Sequence, residues 1–229
     1  MIEPVEGGLA KDSGKVVKTA WSAYKKAPVA TRIHVLVRAL TCPMDALLPF
    51  FPRQGKVLDL GCGHGLLGLL LSTDPLFGGL TVYGIDHDAA KIRIARRMAG
   101  PGVFFSSSPI ASLAAGTFDA VVLVDVLYTV NQQTWGQILG DCHRVLRPGA
   151  ILLLKEVIDR PRWKYRAIMA QERLSVTVLG LTKGDRPHFE SVQTYRQAMA
   201  ASGFSAVTDQ PLPQRSWISH HLFVARKPG

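Results

Sequence analysis

The segment KVLDLGCGHG, residues 56 to 65, constrains the fold more than any other part of this chain. A short apolar run that contains Asp59 passes directly into three glycines, Gly61, Gly63 and Gly65. Glycine lets the backbone turn sharply and brings its N–H groups close to a ligand without obstruction by side chains. A strand, a glycine loop and a helix in this order therefore predict a nucleotide-like ligand at the end of a strand.

The rest of the chain alternates between β-rich and helix-like runs, which is the pattern of a sheet covered by helices on both faces. We predict an α/β fold with a doubly wound, mostly parallel seven-stranded sheet and a C-terminal antiparallel hairpin. The predicted strands are 56–61, 81–86, 102–106, 118–125, 150–157, 204–210 and 219–226. The predicted helices are 65–73, 87–99, 132–146 and 191–202, with a poorly defined piece at 109–115.

Two segments stand outside this alternation in a chain of 229 residues, a length that suits one sizeable core. Residues 1–55 have a Lys-rich start followed by a helix-like run, so we predict an N-terminal helical cap over the ligand edge of the sheet. The cap would precede a cofactor-binding domain at 56–229. Residues 158–190 are rich in charge and are predicted to form an insertion that faces the substrate.

Composition excludes several classes of protein. No apolar run approaches the roughly 20 residues that a membrane-spanning helix needs, and the first residues lack the pattern of a secretory signal. Three widely spaced cysteines, Cys42, Cys62 and Cys142, predict neither a disulfide framework nor a structural zinc site. We therefore expect a cytoplasmic protein without a transmembrane segment. The formal charge of +10 affects which partners the protein attracts, and it does not decide the function.

The glycines alone do not identify the ligand, because two fingerprints overlap. Gly61 begins a G-x-G-x-G pattern, and Gly63 begins the G-x-G-x-x-G pattern of dinucleotide-binding folds. Asp86 ends the second predicted strand, where a carboxylate can accept hydrogen bonds from a ribose in either case. Asp59 discriminates between them, because a nearby negative charge disfavours a pyrophosphate and favours a cationic ligand.

With these features the chain resembles the class I S-adenosylmethionine-dependent methyltransferases, whose ligand carries a sulfonium and an amino group. The resemblance covers residues 56–157 and implies a Rossmann-like fold, methyltransferase activity and S-adenosyl-L-methionine as the cofactor. Four motifs carry it in order: Val57-Leu58-Asp59-Leu60-Gly61-Cys62-Gly63-His64-Gly65, Gly84-Ile85-Asp86, Phe118-Asp119-Ala120-Val121-Val122 and Leu146-Arg147-Pro148-Gly149.

The resemblance also implies which residues bind the cofactor. Asp86 would hold the ribose, and His87 would lie against the adenine. The family often has an acid after the third strand, but this chain has Ser107 and Ser108, whose hydroxyls can accept the hydrogen bond of the adenine amino group. Asp125 and Val126, after the fourth strand, would contact the cofactor as well. The methionine part would lie on the glycine loop, at Asp59, Leu60, Gly61, Cys62, Gly63 and Gly65.

Methyl transfer from a sulfonium is an in-line displacement, so positioning and exclusion of water can supply much of the acceleration. For a hydroxyl acceptor, the candidate bases are Glu156 and His34, and Tyr128 is a candidate positioning group. His220 and His221 would point to opposite faces of a strand, and we predict no metal site. No Asn-Pro-Pro-Tyr or Asp-Pro-Pro-Tyr follows the fourth strand, which argues against methylation of a base nitrogen.

Weaker signals concern the acceptor and the partners. Residues 159–166 alternate basic and aromatic side chains, which suits a small-molecule acceptor, an acidic carrier, a lipid headgroup at a membrane surface, or plain solvation. Segments 40–52, 155–157 and 162–164 loosely resemble small bacterial methyltransferases of polyketide or fatty-acid-like biosynthesis. That resemblance implies an apolar, aromatic or acyl acceptor, either free or bound to a carrier.

Three other functions stay open. The positive charge favours an RNA methyltransferase, but the chain has no appended RNA-binding module and no long basic run. The overlapping G-x-G-x-x-G favours an NAD(P)-dependent oxidoreductase, but no Tyr-x-x-x-Lys pair follows the fourth strand. A cofactor-binding protein without activity is the third. We predict an enzyme that methylates a small apolar, aromatic or acyl-type molecule, with oxygen favoured as the acceptor atom and nitrogen, carbon and sulfur left open.

Overall fold

The computed structural model describes residues 13–158, 189–214 and 219–229. The basic and aromatic segment 159–166 lies outside the described residues, as does almost all of the predicted insertion 158–190. The first twelve residues of the predicted cap also lie outside them.

A seven-stranded sheet forms the centre of the protein. Its strands are β1 (Gln54–Leu60), β2 (Gly79–Ile85), β3 (Val103–Ser106), β4 (Phe118–Val124), β5 (Leu146–Val157), β6 (Ser205–Pro211) and β7 (His220–Arg226). Their order is β3-β2-β1-β4-β5-β7-β6. The first five strands are parallel, and β7 lies antiparallel between β5 and β6. The predicted mostly parallel sheet and its C-terminal antiparallel hairpin are confirmed.

Helices cover both faces of the sheet, and their bounds are α1 (Ser13–Ala23), α2 (Val29–Thr41), α3 (Leu66–Thr73), α4 (Ala89–Met98), α5 (Trp135–Val145) and α6 (Val192–Ala201). One apolar cluster packs α1 to α4 against the sheet, and a second packs α5 and α6 against the opposite face. The central strands are buried on both faces, which explains why β4 reads as an almost continuous apolar run. The piece predicted at 109–115 is only a short 3-10 turn at Ile110–Ser112.

Strand β5 begins four residues before its predicted start, because the turn at Arg147-Pro148-Gly149 lies inside the strand. Phe118 of β4 pairs with Leu146 of β5, and Ala120 pairs with Ile151. Residues 147–150 of β5 therefore bulge opposite the single residue Asp119. Gly149 has a φ of +75°, a conformation that glycine adopts without steric cost. The sequence predicts the turn, but it does not predict that β5 pairs with β4 on both sides of the turn.

Helix α1 and the residue that follows it are attached to the glycine loop and to the end of α3. Tyr24, at the end of α1, is buried and donates its hydroxyl hydrogen bond to the carbonyl oxygen of His64 at 2.7 Å. Lys15 forms an ion pair with Asp74, with 2.8 Å between Nζ and Oδ2. The division into a cap at 1–55 and a domain at 56–229 stays a prediction.

In the described part of the chain, no single helix is long and apolar enough to span a membrane. Helix α2 and the 3-10 segment Met44–Phe50 reach the required length and composition only together, across a bend of 63°. Most of that 3-10 segment is buried in the core.

Candidate cofactor and acceptor site

A cavity of about 280 Å³ lies at the carboxyl ends of β1, β2 and β4, between the loops that follow these strands and helix α2. Ligands of open α/β sheets bind at this edge, where the strand order reverses. Eight of the predicted site residues line the cavity: His34, Asp59, Gly61, Cys62, Gly63, Asp86, Asp125 and Tyr128. The sheet therefore brings together residues that are far apart in the sequence.

The backbone of the glycine loop is already hydrogen-bonded inside the protein. The N–H groups of Gly61 and Cys62 both donate to the carbonyl oxygen of Ile85, at 2.8 and 3.1 Å. The N–H of Gly63 donates to Oδ2 of Asp86 at 2.9 Å. A pyrophosphate needs free N–H groups at such a loop, so this arrangement favours a ligand that is held in another way.

Gly61 and Gly63 serve different purposes in this loop. A Cβ at Gly61 would lie 2.6 Å from Cγ2 of Val126, so a side chain there would collide with the loop after β4. A Cβ at Gly63 would meet no atom within 4 Å, although this residue lines the cavity and has a φ of +56°. The loop thus leaves open space beside Gly63 for a ligand.

Asp59 is the residue that best indicates the charge of the ligand. Its side chain is buried at the cavity, and Oδ2 has no hydrogen-bond partner among the residues that the structure describes. Burial raises the pKa of Asp59 to about 7, although the Arg38 guanidinium acts in the opposite direction. A buried carboxylate oxygen without a partner is costly, and a cationic group in the cavity would remove that cost.

Asp86 is held in place by two backbone groups. Oδ2 accepts the N–H of Gly63 at 2.9 Å, and Oδ1 accepts the N–H of Asp88 at 2.9 Å. A carboxylate has about four acceptor positions, so both oxygens can still accept from ribose hydroxyls. The side chain of Asp88 in turn caps the first turn of α4, which fixes the end of the second strand and its loop.

Asp125 follows β4 and adopts a left-handed conformation, with a φ of +60°. Its Oδ1 lies 2.5 Å from Nζ of Lys155, and its Oδ2 lies 3.2 Å from Nη1 of Arg38. Burial alone would raise the pKa of Asp125, but the two cations outweigh it and hold the pKa at about 2. The carboxylate is therefore permanently charged, and both of its oxygens face cations of the protein.

Arg38 was not predicted as a site residue, although the sequence contains a signal for it. His34 and Arg38 are four residues apart on α2, and this spacing puts both side chains on one face of a helix. Both line the cavity. Burial opposes the charge of Arg38, yet Asp125 raises its pKa, so the guanidinium stays charged at the cavity wall.

His34 and His64 form an uncharged pair at the cavity. Their ring centroids are 5.2 Å apart, and the rings are tilted by 59°. Burial lowers the pKa of His34 to about 3, with Arg38 as the next contribution, and lowers the pKa of His64 to about 4, with Lys91 as the next. Both imidazoles are neutral near pH 7 and can donate or accept a hydrogen bond.

Glu156 is fully buried and lies outside the cavity lining. Its carboxylate accepts the N–H groups of Val126, Leu127 and Tyr128, at 3.0, 2.8 and 3.4 Å. Burial and the nearby Asp125 raise its pKa to about 8 in spite of these hydrogen bonds. The structure thus places this predicted base behind the loop that carries Tyr128, where it holds the loop backbone.

Tyr128, the predicted positioning group, lines the cavity and stacks on Phe189 with 5.3 Å between ring centroids.

The other residues that were predicted to bind the cofactor do not line the cavity: Leu60, Gly65, His87, Ser107, Ser108 and Val126. The His87 side chain is exposed, with Nδ1 3.6 Å from Oδ1 of Asp86. Ser107 is exposed, and the Ser108 hydroxyl bonds to that of Ser106 at 2.9 Å. Their assignment to the adenine stays a prediction.

His220 and His221 have separate partners on two different elements. Nε2 of His220 lies 3.0 Å from the carbonyl oxygen of Thr41 in α2, and Nε2 of His221 lies 2.8 Å from Oδ2 of Asp209 in β6. Within residues 13–158, 189–214 and 219–229, no group of three His, Cys, Asp or Glu side chains could hold a metal ion.

Comparison with known proteins identifies the family. The model of the methyltransferase domain family matches residues 34–209. The chain is 30% identical over 125 residues to the ubiquinone biosynthesis O-methyltransferase of Azotobacter vinelandii, covering 52% of this chain and 51% of that protein. It is also 30% identical over 181 residues to the protein of the same name from Bradyrhizobium sp., covering 73% of this chain and 66% of the relative. The chain thus spans about half the length of the first of these relatives.

The fold has relatives among solved structures. A methyltransferase from Methanosarcina mazei, described as S-adenosylmethionine-dependent, superimposes with a TM-score of 0.64 and 20% sequence identity. The match covers 80% of this chain and 97% of that one. The family match confirms the predicted methyltransferase family, and the shared fold agrees with the predicted Rossmann-like architecture. The chain belongs to the methyltransferase domain family.

Proposed function

We propose that the cavity beside the glycine loop holds S-adenosylmethionine and that the enzyme methylates an oxygen atom of a small apolar or aromatic acceptor. The observation that carries this proposal is the buried Oδ2 of Asp59, which has no partner among the described residues of the chain. A cationic ligand fits this oxygen, and the loop next to it has few free N–H groups for a phosphate.

The residues around the cavity match the groups of this cofactor. Asp59 would face its positive charge, Asp86 would accept the ribose hydroxyls, and the Arg38 guanidinium would meet the carboxylate of its methionine part. The open space beside Gly63 leaves room for that part. When bound, the cofactor supplies an electrophilic methyl group on a sulfonium.

The cavity also offers uncharged polar groups and apolar side chains to an acceptor. The neutral His34 and the Tyr128 hydroxyl are the polar groups that would orient an incoming hydroxyl. An imidazole with a pKa near 3 is a weak base, so it suits an acidic hydroxyl such as a phenol better than an aliphatic alcohol. The apolar lining consists of Val35, Val37, Met44, Leu66, Leu67 and Val124.

Glu156 would act through position and not through proton transfer. Its carboxylate holds the backbone of the loop from Val126 to Tyr128 and thereby fixes the Tyr128 side chain at the cavity. Most of the acceleration would then come from alignment of the acceptor and exclusion of water, which an in-line displacement permits.

The names of the curated relatives support oxygen as the acceptor atom, since both compared proteins are called O-methyltransferases. We expect the enzyme to act in the cytoplasm on a free or carrier-bound acceptor. No feature of the described cavity favours an RNA acceptor or a nicotinamide cofactor over this assignment.

The acceptor atom can be tested with three compounds that differ only in one functional group: 4-octylphenol, 4-octylaniline and 4-octylthiophenol. Each is incubated with the enzyme and S-adenosylmethionine that carries a labelled methyl group, and products are identified by mass spectrometry. We expect the methyl ether of the phenol as the main product. Methylation of the aniline or the thiophenol in preference to the phenol would contradict the proposal.

A further inference from the structure

Helix α2 carries an exposed apolar stripe that consists of Val29, Ile33, Val37 and Leu40. These side chains are 41% to 68% exposed. Their spacing of four, four and three residues places them on one face of the helix. The opposite face is buried against the core through Thr31, Val35 and Ala39, so α2 is apolar on two sides. Exposed apolar stripes of this kind mark an interaction surface.

The surroundings of the apolar stripe are basic and aromatic. Residues 13–44 contain no Asp or Glu and six basic residues: Lys15, Lys18, Lys25, Lys26, Arg32 and Arg38. Lys18, Lys25 and Lys26 are exposed. The ring of Trp21 is exposed as well, with the Arg32 guanidinium 5.5 Å from its centroid. The apolar stripe on α2, together with the exposed lysines and Trp in the preceding residues 18–26, has the composition of a surface that binds at a membrane interface.

The apolar stripe is continuous with the cavity. Val37 belongs to the stripe and also lines the cavity, next to His34 and Arg38 on the same helix. An apolar molecule held at the stripe can therefore reach the acceptor side of the cavity along apolar surface.

We propose that the apolar stripe docks on the surface of a bilayer that contains anionic lipids. Helix α2 would lie in the plane of the interface, with the stripe among the acyl chains and the lysines at the headgroups. A protein partner would need a matching acidic surface, whereas anionic lipids supply this charge without a specific shape. Entry of an apolar acceptor from the bilayer past Val37 would be a further step, and only this step rests on the proposed function. The docking of the apolar stripe is independent of the proposed function.

The docking is tested by sedimentation of the full chain with vesicles of phosphatidylcholine alone and with vesicles that contain one part phosphatidylglycerol to three parts phosphatidylcholine. We expect binding to the anionic vesicles and little binding to the neutral ones. The double variant Ile33→Ser/Leu40→Ser should bind the anionic vesicles at least about ten-fold more weakly, because it removes two side chains from the stripe.

Leu76→Ser is the matched control, because Leu76 is 46% exposed and Ile33 is 47% exposed, but Leu76 lies outside α2. It should bind vesicles like the unaltered protein. The double variant Lys25→Gln/Lys26→Gln should weaken binding to anionic vesicles by about five-fold for each lysine. Circular dichroism and binding of S-adenosylhomocysteine show that each variant is folded, and this binding tests the cofactor site separately.

Several results would overturn the docking proposal. These are no sedimentation of the unaltered protein, equal sedimentation with neutral vesicles, and equal binding by Ile33→Ser/Leu40→Ser. A dimer in light scattering that this variant converts to a monomer, without any change in vesicle binding, would assign the stripe to a second copy of the chain instead.

Discussion

The Arg38 guanidinium lies 3.2 Å from Oδ2 of Asp125 and thereby joins a helix of the N-terminal region to the loop at the end of β4. Lys155 holds the other oxygen of the same carboxylate from β5. Three separate elements thus meet at one buried charge beside the cavity. We infer that this cluster fixes the distance between α2 and the sheet edge, and with it the shape of the site.

Replacement of Arg38 tests this inference. Arg38→Ala should lower the affinity for S-adenosylhomocysteine about ten-fold or more, because it removes the positive charge from the cavity wall. The free energy of unfolding should fall by about 1–2 kcal/mol, a modest loss for a partly exposed ion pair. Calorimetry and urea denaturation measure the two effects. Arg32→Ala, on the same helix but over Trp21, is the control and should leave the affinity unchanged. Equal affinity for Arg38→Ala would remove Arg38 from the cofactor site.

Asp86→Ala should abolish detectable binding of S-adenosylhomocysteine while the protein stays folded. The variant loses the acceptor for the N–H groups of Gly63 and Asp88, which should cost about 1–3 kcal/mol of stability. Asp88→Ala removes only the cap of α4 and should cost about 1 kcal/mol without a comparable loss of affinity. Wild-type affinity of Asp86→Ala in calorimetry would contradict the assignment.

The affinity for S-adenosylmethionine should increase with pH around neutrality. The pKa of Asp59 is raised to about 7 in the free protein, so its carboxylate becomes ionised between pH 6 and pH 8. Only the ionised form attracts a cationic ligand, which predicts an increase in affinity of up to about ten-fold over this range. Asp59→Asn should bind more weakly and without this pH dependence. A pH dependence that persists in the variant would show that another group is responsible.

Asp59 and Glu156 should contribute less to the stability of the free protein as the pH rises. Their folded pKa values are about 7 and about 8, both above their ordinary values. At these two groups the folded state binds more protons than the unfolded state, so their contribution to stability is lost as the pH rises from about 4 towards 8. The lowered pKa values of His34 and His64 act in the opposite direction below about pH 6.5, so the two carboxyls are tested by difference. In urea denaturation at several pH values, Asp59→Asn and Glu156→Gln should each gain stability relative to the unaltered protein as the pH rises. A stability difference from the unaltered protein that stays constant over this interval would refute the assignment.

Glu156→Gln also separates a positioning role from a catalytic one. A positioning role predicts a loss of kcat of less than about ten-fold and an unchanged pH profile, because Gln keeps one oxygen for the loop N–H groups. A general base predicts a loss of about 100-fold or more and the disappearance of an ionisation from the profile. The second result would restore Glu156 as the base.

The sheet and the glycine loop could be predicted because their signals are local. Strands β1 to β5 and β7 each contain a short apolar run, and Asp86 follows the second strand at the edge where ligands bind. The start of β5 was wrong because a bulge depends on pairing with β4. Arg38 was missed because its importance comes from Asp125, which only the packing of α2 over the sheet brings near. The direction of the Glu156 side chain likewise depends on the loop that it contacts.

The proposed function requires a cavity that is built for S-adenosylmethionine. Calorimetric titration of the unaltered protein with S-adenosylhomocysteine, and separately with NAD and NADP, tests this requirement. We expect one S-adenosylhomocysteine bound per chain and no binding of either dinucleotide. Binding of NAD or NADP without binding of S-adenosylhomocysteine would contradict it.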